Sequence, residues 1–194
     1  QVTIGKETFK LPEPFLVMAT QNPVEQLGTY KLPEAQVDRF LYKVIISYPK
    51  LEEEIEILNT NITSKQFESY DIKPILSPME IIEAQKLITK IYCNKKIEKY
   101  IINIINATRH PEKYNIKSGK YIEYGASPRS SISLFIASKS HAMLQGRSYV
   151  TQHDIKEIAP YVLRHRILIN FEGEAESITP TDIIKEILDK VPIL

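Results

Sequence analysis

This 194-residue chain has a single cysteine, no tryptophan, and only six glycines and six arginines. Cys93 alone excludes a disulfide framework and a thiolate zinc site, and it suits a reducing compartment, so a cytoplasmic setting is expected. No apolar run approaches the ~20 residues that a membrane-spanning helix needs. Gln1 and its neighbours are not a basic stretch followed by an apolar one, so no signal peptide is expected there. A net charge of +1 argues against general nucleic-acid binding and leaves room only for a local basic patch. Phosphate-loop chemistry is missing too. Gly5-Lys6 and Gly119-Lys120 are the two Gly-Lys pairs, and Tyr114 stands where the first glycine of G-x-x-x-x-G-K-[ST] belongs. No apolar strand-like run ends in an acidic pair able to hold Mg²⁺. The four histidines lack metal-ligand spacing, and neither H-E-x-x-H nor G-x-S-x-G occurs.

What is present is a globular composition, 43% hydrophobic and 25% charged, in a chain long enough for one domain or two small ones. The first 49 residues read as strands and turns. Gly5-Lys6 between Gln1–Ile4 and Thr8–Leu11 predicts a β-hairpin. Phe15–Ala19 and Leu41–Ser47 are continuous apolar runs bounded by turn formers, the pattern of strands buried on both faces of a parallel sheet. A short helix is expected from about Pro33 to Phe40.

From Lys50 onward the pattern is helical. Leu51, Ile55 and Leu58 share a face. Ser77-Pro78-Met79-Glu80 is a capping box with proline at the first helical position, opening a helix to about Tyr92. Ile97, Ile101, Ile104 and Ile105 form the stripe of the next helix, which ends before Pro111. Lys113–Tyr124 reads as an irregular loop. Further helices open at Ser127-Pro128, closed by Gly146, then at the capping box Thr151–Asp154, and at Thr179-Pro180. The expected division is thus 1–49 and 50–194, near Pro49.

Several residues invite a functional reading, each against a plainer one. Thr20-Gln21-Asn22-Pro23 follows the first apolar strand, where open α/β sheets bind ligands, yet Asn22-Pro23 also reads as a simple turn. Asp38-Arg39 ends the short helix. Arg39 there suits bidentate phosphate contact, or equally a local salt bridge. Arg129 lies in the first turn of a capped helix, where the dipole disfavours a cation. Such local conflicts concentrate at functional sites, and a helix start carrying an Arg suits an anion. Leu163-Arg164-His165-Arg166 reads as a solvated or interdomain-pairing basic cluster. Cys93 reads as a packing residue.

Taken in order, these segments are specific. Phe15-Leu-Val-Met-Ala-Thr-Gln-Asn-Pro, Glu25-Gln-Leu-Gly-Thr-Tyr and Leu32-Pro-Glu-Ala-Gln-Val-Asp-Arg-Phe closely resemble the MoxR family of AAA+ ATPases. Ala107-Thr-Arg-His-Pro, Gly125-Ala-Ser-Pro-Arg and Leu163-Arg-His-Arg resemble the lid of the same family. The resemblance implies a mixed fold: the last strands of an AAA+ α/β parallel-sheet domain followed by an all-α helical lid bundle. It implies that Asn22 is sensor 1, which helps place the attacking water. It implies that Arg39 is the arginine finger, acting in trans on a neighbouring subunit's nucleotide, and that Arg129 is sensor 2. Gln1–Leu11 matches the hairpin before sensor 1, and Asp182–Leu188 matches the family's usual C-terminal ending.

ATP and Mg²⁺ are the implied ligands of the intact protein. A ring, usually a hexamer, is the implied assembly, and von Willebrand A domain proteins or other clients are the implied partners. The family's phosphate loop and acidic motif precede sensor 1, so this chain looks like the part that follows both. A helicase or metal-chelatase motor of the same clade is one alternative, although Gln1–Leu11 carries only Lys6 and Lys10 toward nucleic acid. A non-catalytic helical interaction module is another. On this reading the 194-residue chain alone neither hydrolyses ATP nor binds it tightly. Calorimetry with ATP should detect no binding in the micromolar range, and a micromolar constant would contradict the reading.

Overall fold

A computed structural model describes residues 1–21, 32–61 and 72–193. Its contacts divide the chain into two compact units, Gln1–Phe15 with Val44–Glu83, and Leu16–Lys43 with Ala84–Leu194. Small strands and mostly helices make up the described chain, which is the mixed fold class expected from the sequence.

In the first unit, β1 (Val2–Ile4) and β2 (Glu7–Phe9) form an antiparallel hairpin with Val2 opposite Phe9 and Ile4 opposite Glu7. Gly5 supplies the positive φ of 63° that the two-residue turn requires. Helix α2 (Leu51–Asn61) follows the expected stripe. Helix α3 (Pro78–Lys90), of which Pro78–Glu83 belong to this unit and Ala84–Lys90 to the second, starts at the Ser77 box, where Glu80 accepts from the Ser77 backbone at 2.7 Å.

The second unit holds the core. Its helices are α1 (Glu34–Val37), α4 (Lys95–Arg109), α5 (Pro128–Leu144), α6 (Gln152–Leu163), α7 (Phe171–Ala175) and α8 (Pro180–Lys190). Tyr100, Ile101, Ile104 and Ile105 of α4 are buried against Leu134 and Ala137 of α5, Ile155, Ala159 and Val162 of α6, and Ile183, Ile184 and Ile187 of α8. Side chains three and four apart lie on one helix face, so each stripe presents a continuous apolar row inward. Asp154 is fully buried at the start of α6. It accepts from the Thr151 N–H and hydroxyl, each at 2.7 Å, from His141 Nδ1 at 2.7 Å and from Arg147 Nη1 at 2.8 Å. Burial would raise its carboxyl, and these donors outweigh burial and hold it far below the usual carboxylate range.

Two expectations are corrected. Phe15–Ala19 and Leu41–Ser47 are not strands. Leu16, Met18 and Ile46 are each at least 80% exposed. A strand exists only through a neighbour's hydrogen bonds, and no described residue pairs with either run. Lys43 instead donates its N–H to the Tyr161 carbonyl of α6 at 2.9 Å. Lys113–Tyr124 is not irregular. It forms 3-10 turns at Pro111–Tyr114 and Lys117–Tyr121, then β3 (Ile122–Tyr124), which pairs antiparallel with β4 (Leu168–Ile169). Its organiser is distant in sequence. Glu186 of α8 accepts from the Lys117 and Ser118 N–H groups at 2.8 and 2.9 Å, and these donors with Lys190 overcome burial to bring its carboxyl down to about 2. Gly119 lies where a Cβ would fall 2.1 Å from Pro111, so close packing explains this glycine and phosphate binding does not.

Asp154→Asn strands a guanidinium beside a buried neutral amide. We expect urea unfolding to show a loss of about 3 kcal/mol. A change within about 0.5 kcal/mol, the range of ordinary surface substitutions, would show that the buried charge contributes nothing net.

Candidate functional site

The site is assembled at the N-terminus of α5 within the second unit. The C-terminal end of α4 prepares it. Thr108 Oγ1 accepts from the Ala126 N–H at 2.9 Å, and Arg109 Nε donates to the Ala126 carbonyl at 2.7 Å. Gly125 passes so close that a Cβ would sit 2.4 Å from the Thr108 carbonyl. Gly125-Ala126 is therefore clamped against α4, and this sets the start of α5 at Ser127-Pro128-Arg129.

Asp38, just after α1, faces that start. Its two carboxylate oxygens accept from Ser127 Oγ at 3.1 Å each, from Arg129 Nη1 at 2.6 Å and from Arg166 Nε at 3.0 Å. Burial pushes the Asp38 carboxyl up, and the bonds from Ser127, Arg129 and Arg166 outweigh it and hold the group below the usual carboxylate range. The unfavourable placement of Arg129 in the first turn is thus resolved. The anion at this helix start is Asp38, which balances both the dipole and the guanidinium. Ser127 keeps the N-cap backbone shape but gives its hydroxyl to Asp38 instead of capping.

The two arginines bound to Asp38 differ. The Arg166 side chain is 1% exposed, whereas that of Arg129 is 51% exposed and meets Asp38 through one nitrogen. Arg166 Nη2 also donates to the carbonyls of Asp38 at 2.9 Å and Phe40 at 2.8 Å, and Nη1 donates to Val162 O of α6 at 2.7 Å. His165 Nε2 bonds the Phe40 carbonyl at 3.0 Å, which makes Nε2 the protonated nitrogen, and its buried Nδ1 has no partner among the described residues. Beside these groups lies an open cleft of about 260 Å³ lined by Glu34, Asp38, Tyr124, Ser127, His165 and Arg166.

Of the sequence-predicted residues, Arg129 is in this cluster. Arg39 adjoins it, exposed, with a guanidinium that has no partner among the described residues. Asn22 lies outside the described residues. The basic cluster is split: Arg166 is buried, not solvated, while Arg164 lies over the Tyr161 ring at 4.9 Å. Asp38, Thr108, Arg109 and Arg166 are the residues whose part in the site sequence reasoning missed. Cys93 is half-buried, and burial first and Glu98 second push its thiol up, which leaves it a poor nucleophile.

Residues 1–42 match the model of the ATPase family associated with various cellular activities (AAA), and residues 117–187 match the AAA lid domain. Chaperone MoxR1 of Mycobacterium tuberculosis is 40% identical over 194 residues, covering 99% of this chain and 50% of that protein. The chain belongs to the MoxR family of AAA+ ATPases. The uncharacterized protein YeaC of Bacillus subtilis is 38% identical over 99% of this chain and 58% of its own length. A crystal structure of a candidate ATPase from Cytophaga hutchinsonii superposes with a TM-score of 0.88 at 45% identity, covering 100% of this chain and 58% of that one. The chain spans about half the length of the curated MoxR relatives it matches, and it corresponds to the C-terminal portion of the architecture. No described helix is long and apolar enough to cross a membrane.

His165 sets a pH dependence. Burial first, then Arg166 and Lys43, lower its pKa from 6.5 to about 4, against the opposing pull of the Phe40 carbonyl and Asp38. The folded chain keeps it neutral, whereas the unfolded chain protonates it below about 6.5. Its stabilisation is complete above pH 6.5 and is lost as the pH falls toward 4, on the order of 3 kcal/mol in all. Urea midpoints measured from pH 7.5 to 4.5 should fall more steeply for the unsubstituted chain than for His165→Gln. Parallel curves would contradict the assignment.

Proposed function

We propose that the protein containing this chain is a MoxR-type ATPase that couples ATP hydrolysis in a subunit ring to chaperone-like remodelling of partner proteins in the cytoplasm. The observation that carries this reading is the cationic cluster at the α5 N-terminus. A half-exposed Arg129 is poised there beside a second, buried guanidinium, and a free Arg39 projects from the next turn. Phosphoryl transfer asks a protein mainly to position groups and to stabilise charge. Arg129 has unused donors for a phosphate of its own subunit's nucleotide, as a sensor 2 does. Arg39 is free to reach a neighbouring subunit's nucleotide as the arginine finger. Asn22 is assigned sensor 1 from the sequence motif alone.

The described residues fit phosphate and do not fit Mg²⁺. They contain no cluster of three or more metal-ligating side chains able to hold an ion, and Asp38 is engaged by a hydroxyl and two guanidinium groups. The chaperone role draws on the similarity to Chaperone MoxR1 of Mycobacterium tuberculosis. A hexameric ring, von Willebrand A domain clients and a division at 49/50 between the α/β remnant and the lid complete the proposal.

In the full-length protein Arg39→Ala should lower kcat on the order of 1,000-fold while leaving the KM for ATP within about threefold. Steady-state phosphate release checks this, and unchanged turnover in assembled rings would overturn the finger assignment.

A further inference from the structure

We propose that Arg166 is a positioning residue for Arg39, holding the turn that bears it rigidly on the helical bundle. This inference rests on the reading of Arg39 as the group that reaches a neighbouring nucleotide.

The bonds of Arg166 bracket Arg39. Nη2 donates to the carbonyl of the residue before it, Asp38, at 2.9 Å, and to that of the residue after it, Phe40, at 2.8 Å. His165 adds a second donor to the Phe40 carbonyl at 3.0 Å. The same guanidinium is tied to the bundle, Nη1 through Val162 O of α6 at 2.7 Å and Nη2 through Ser133 Oγ of α5 at 3.2 Å. Nε completes the set on Asp38 at 3.0 Å. One planar fork therefore joins both peptide carbonyls flanking Arg39 to two helices of the core.

The Arg39 side chain itself is exposed and has no partner among the described residues. A stiff base under a free head is the arrangement that a group placing charge on a distant phosphate requires, because misplacement by about 1 Å can cost ~100-fold in rate. Lysine has a single point of charge and could not span these acceptors. The Asp38 carboxylate is shared with Arg129, so both candidate phosphate-facing cations stand on one base.

The test uses the full-length protein with Arg166→Lys, Arg39→Ala and the double variant. Arg166→Lys, confirmed folded by its thermal transition, should lower kcat about 10- to 100-fold and leave the KM for ATP within about twofold. In the Arg39→Ala background the same substitution should cost less than about twofold, because the group it positions is gone. An equal loss in both backgrounds would make Arg166 merely structural and overturn the proposal, as would an unchanged kcat. An Arg39→Ala variant of full activity would overturn the finger reading and this proposal with it. Should Arg166→Lys not fold, His165→Leu decides by the same criterion. It removes one clamp on Phe40 without stranding a buried charge, and it should lower kcat severalfold only when Arg39 is present.

Discussion

The Asp38–Arg166 pair is the interaction on which the site depends. Burying a guanidinium costs several kcal/mol unless nearly all of its donors are used. Here Arg166 makes five bonds, to a carboxylate, three carbonyls and a hydroxyl. That completeness allows a charged group 1% exposed to persist, and it explains the short helix α1. Four residues cannot hold a helix by their own hydrogen bonds, because nucleation is unfavourable at that length. Glu34–Val37 is instead held from its C-terminal side by the bundle.

The bundle is prepared for that task independently. Its core is isoleucine-rich and lies mainly among α4, α5, α6 and α8, while buried Asp154 and partly buried Glu186 fasten turns that join the helices. Thr108 and Arg109 then fix the approach to α5, and Gly125 permits the contact. Each step narrows where Ser127 and Arg129 can stand before Asp38 meets them. The positive end of the α5 dipole and two guanidinium groups make the position strongly anion-seeking. Asp38 fills it, leaving Arg129 with unused donors toward solvent.

The helices were legible because their signals are local. The Ser77–Glu80 and Thr151–Asp154 boxes, the Ile97–Ile105 stripe and the Gly146 stop each act within a few residues, and the structure has them. The β3–β4 pair and α7 were not legible. They are two to five residues long and exist through contacts such as the Asn170 N–H on the Tyr121 carbonyl at 2.9 Å. Phe15–Ala19 carries a strand pattern, but no described residue pairs with it. In the site, the conflict between Arg129 and its helix dipole pointed to an anion but not to which one. Asp38 and Arg166 are 128 positions apart, and no spacing rule links them. Arg164 and Arg166 are alike in sequence, and only the fold buries the second.

On this view the Asp38–Arg166 pair holds the α1 segment to a bundle that is stable without it. Native-state hydrogen exchange on the chain, with and without Asp38→Asn, measures this directly. Protection of the Gln36–Phe40 amides should fall sharply in the variant while amides of α4, α6 and α8 keep theirs. Equal loss across all of these helices, or unchanged protection at Gln36–Phe40, would contradict it.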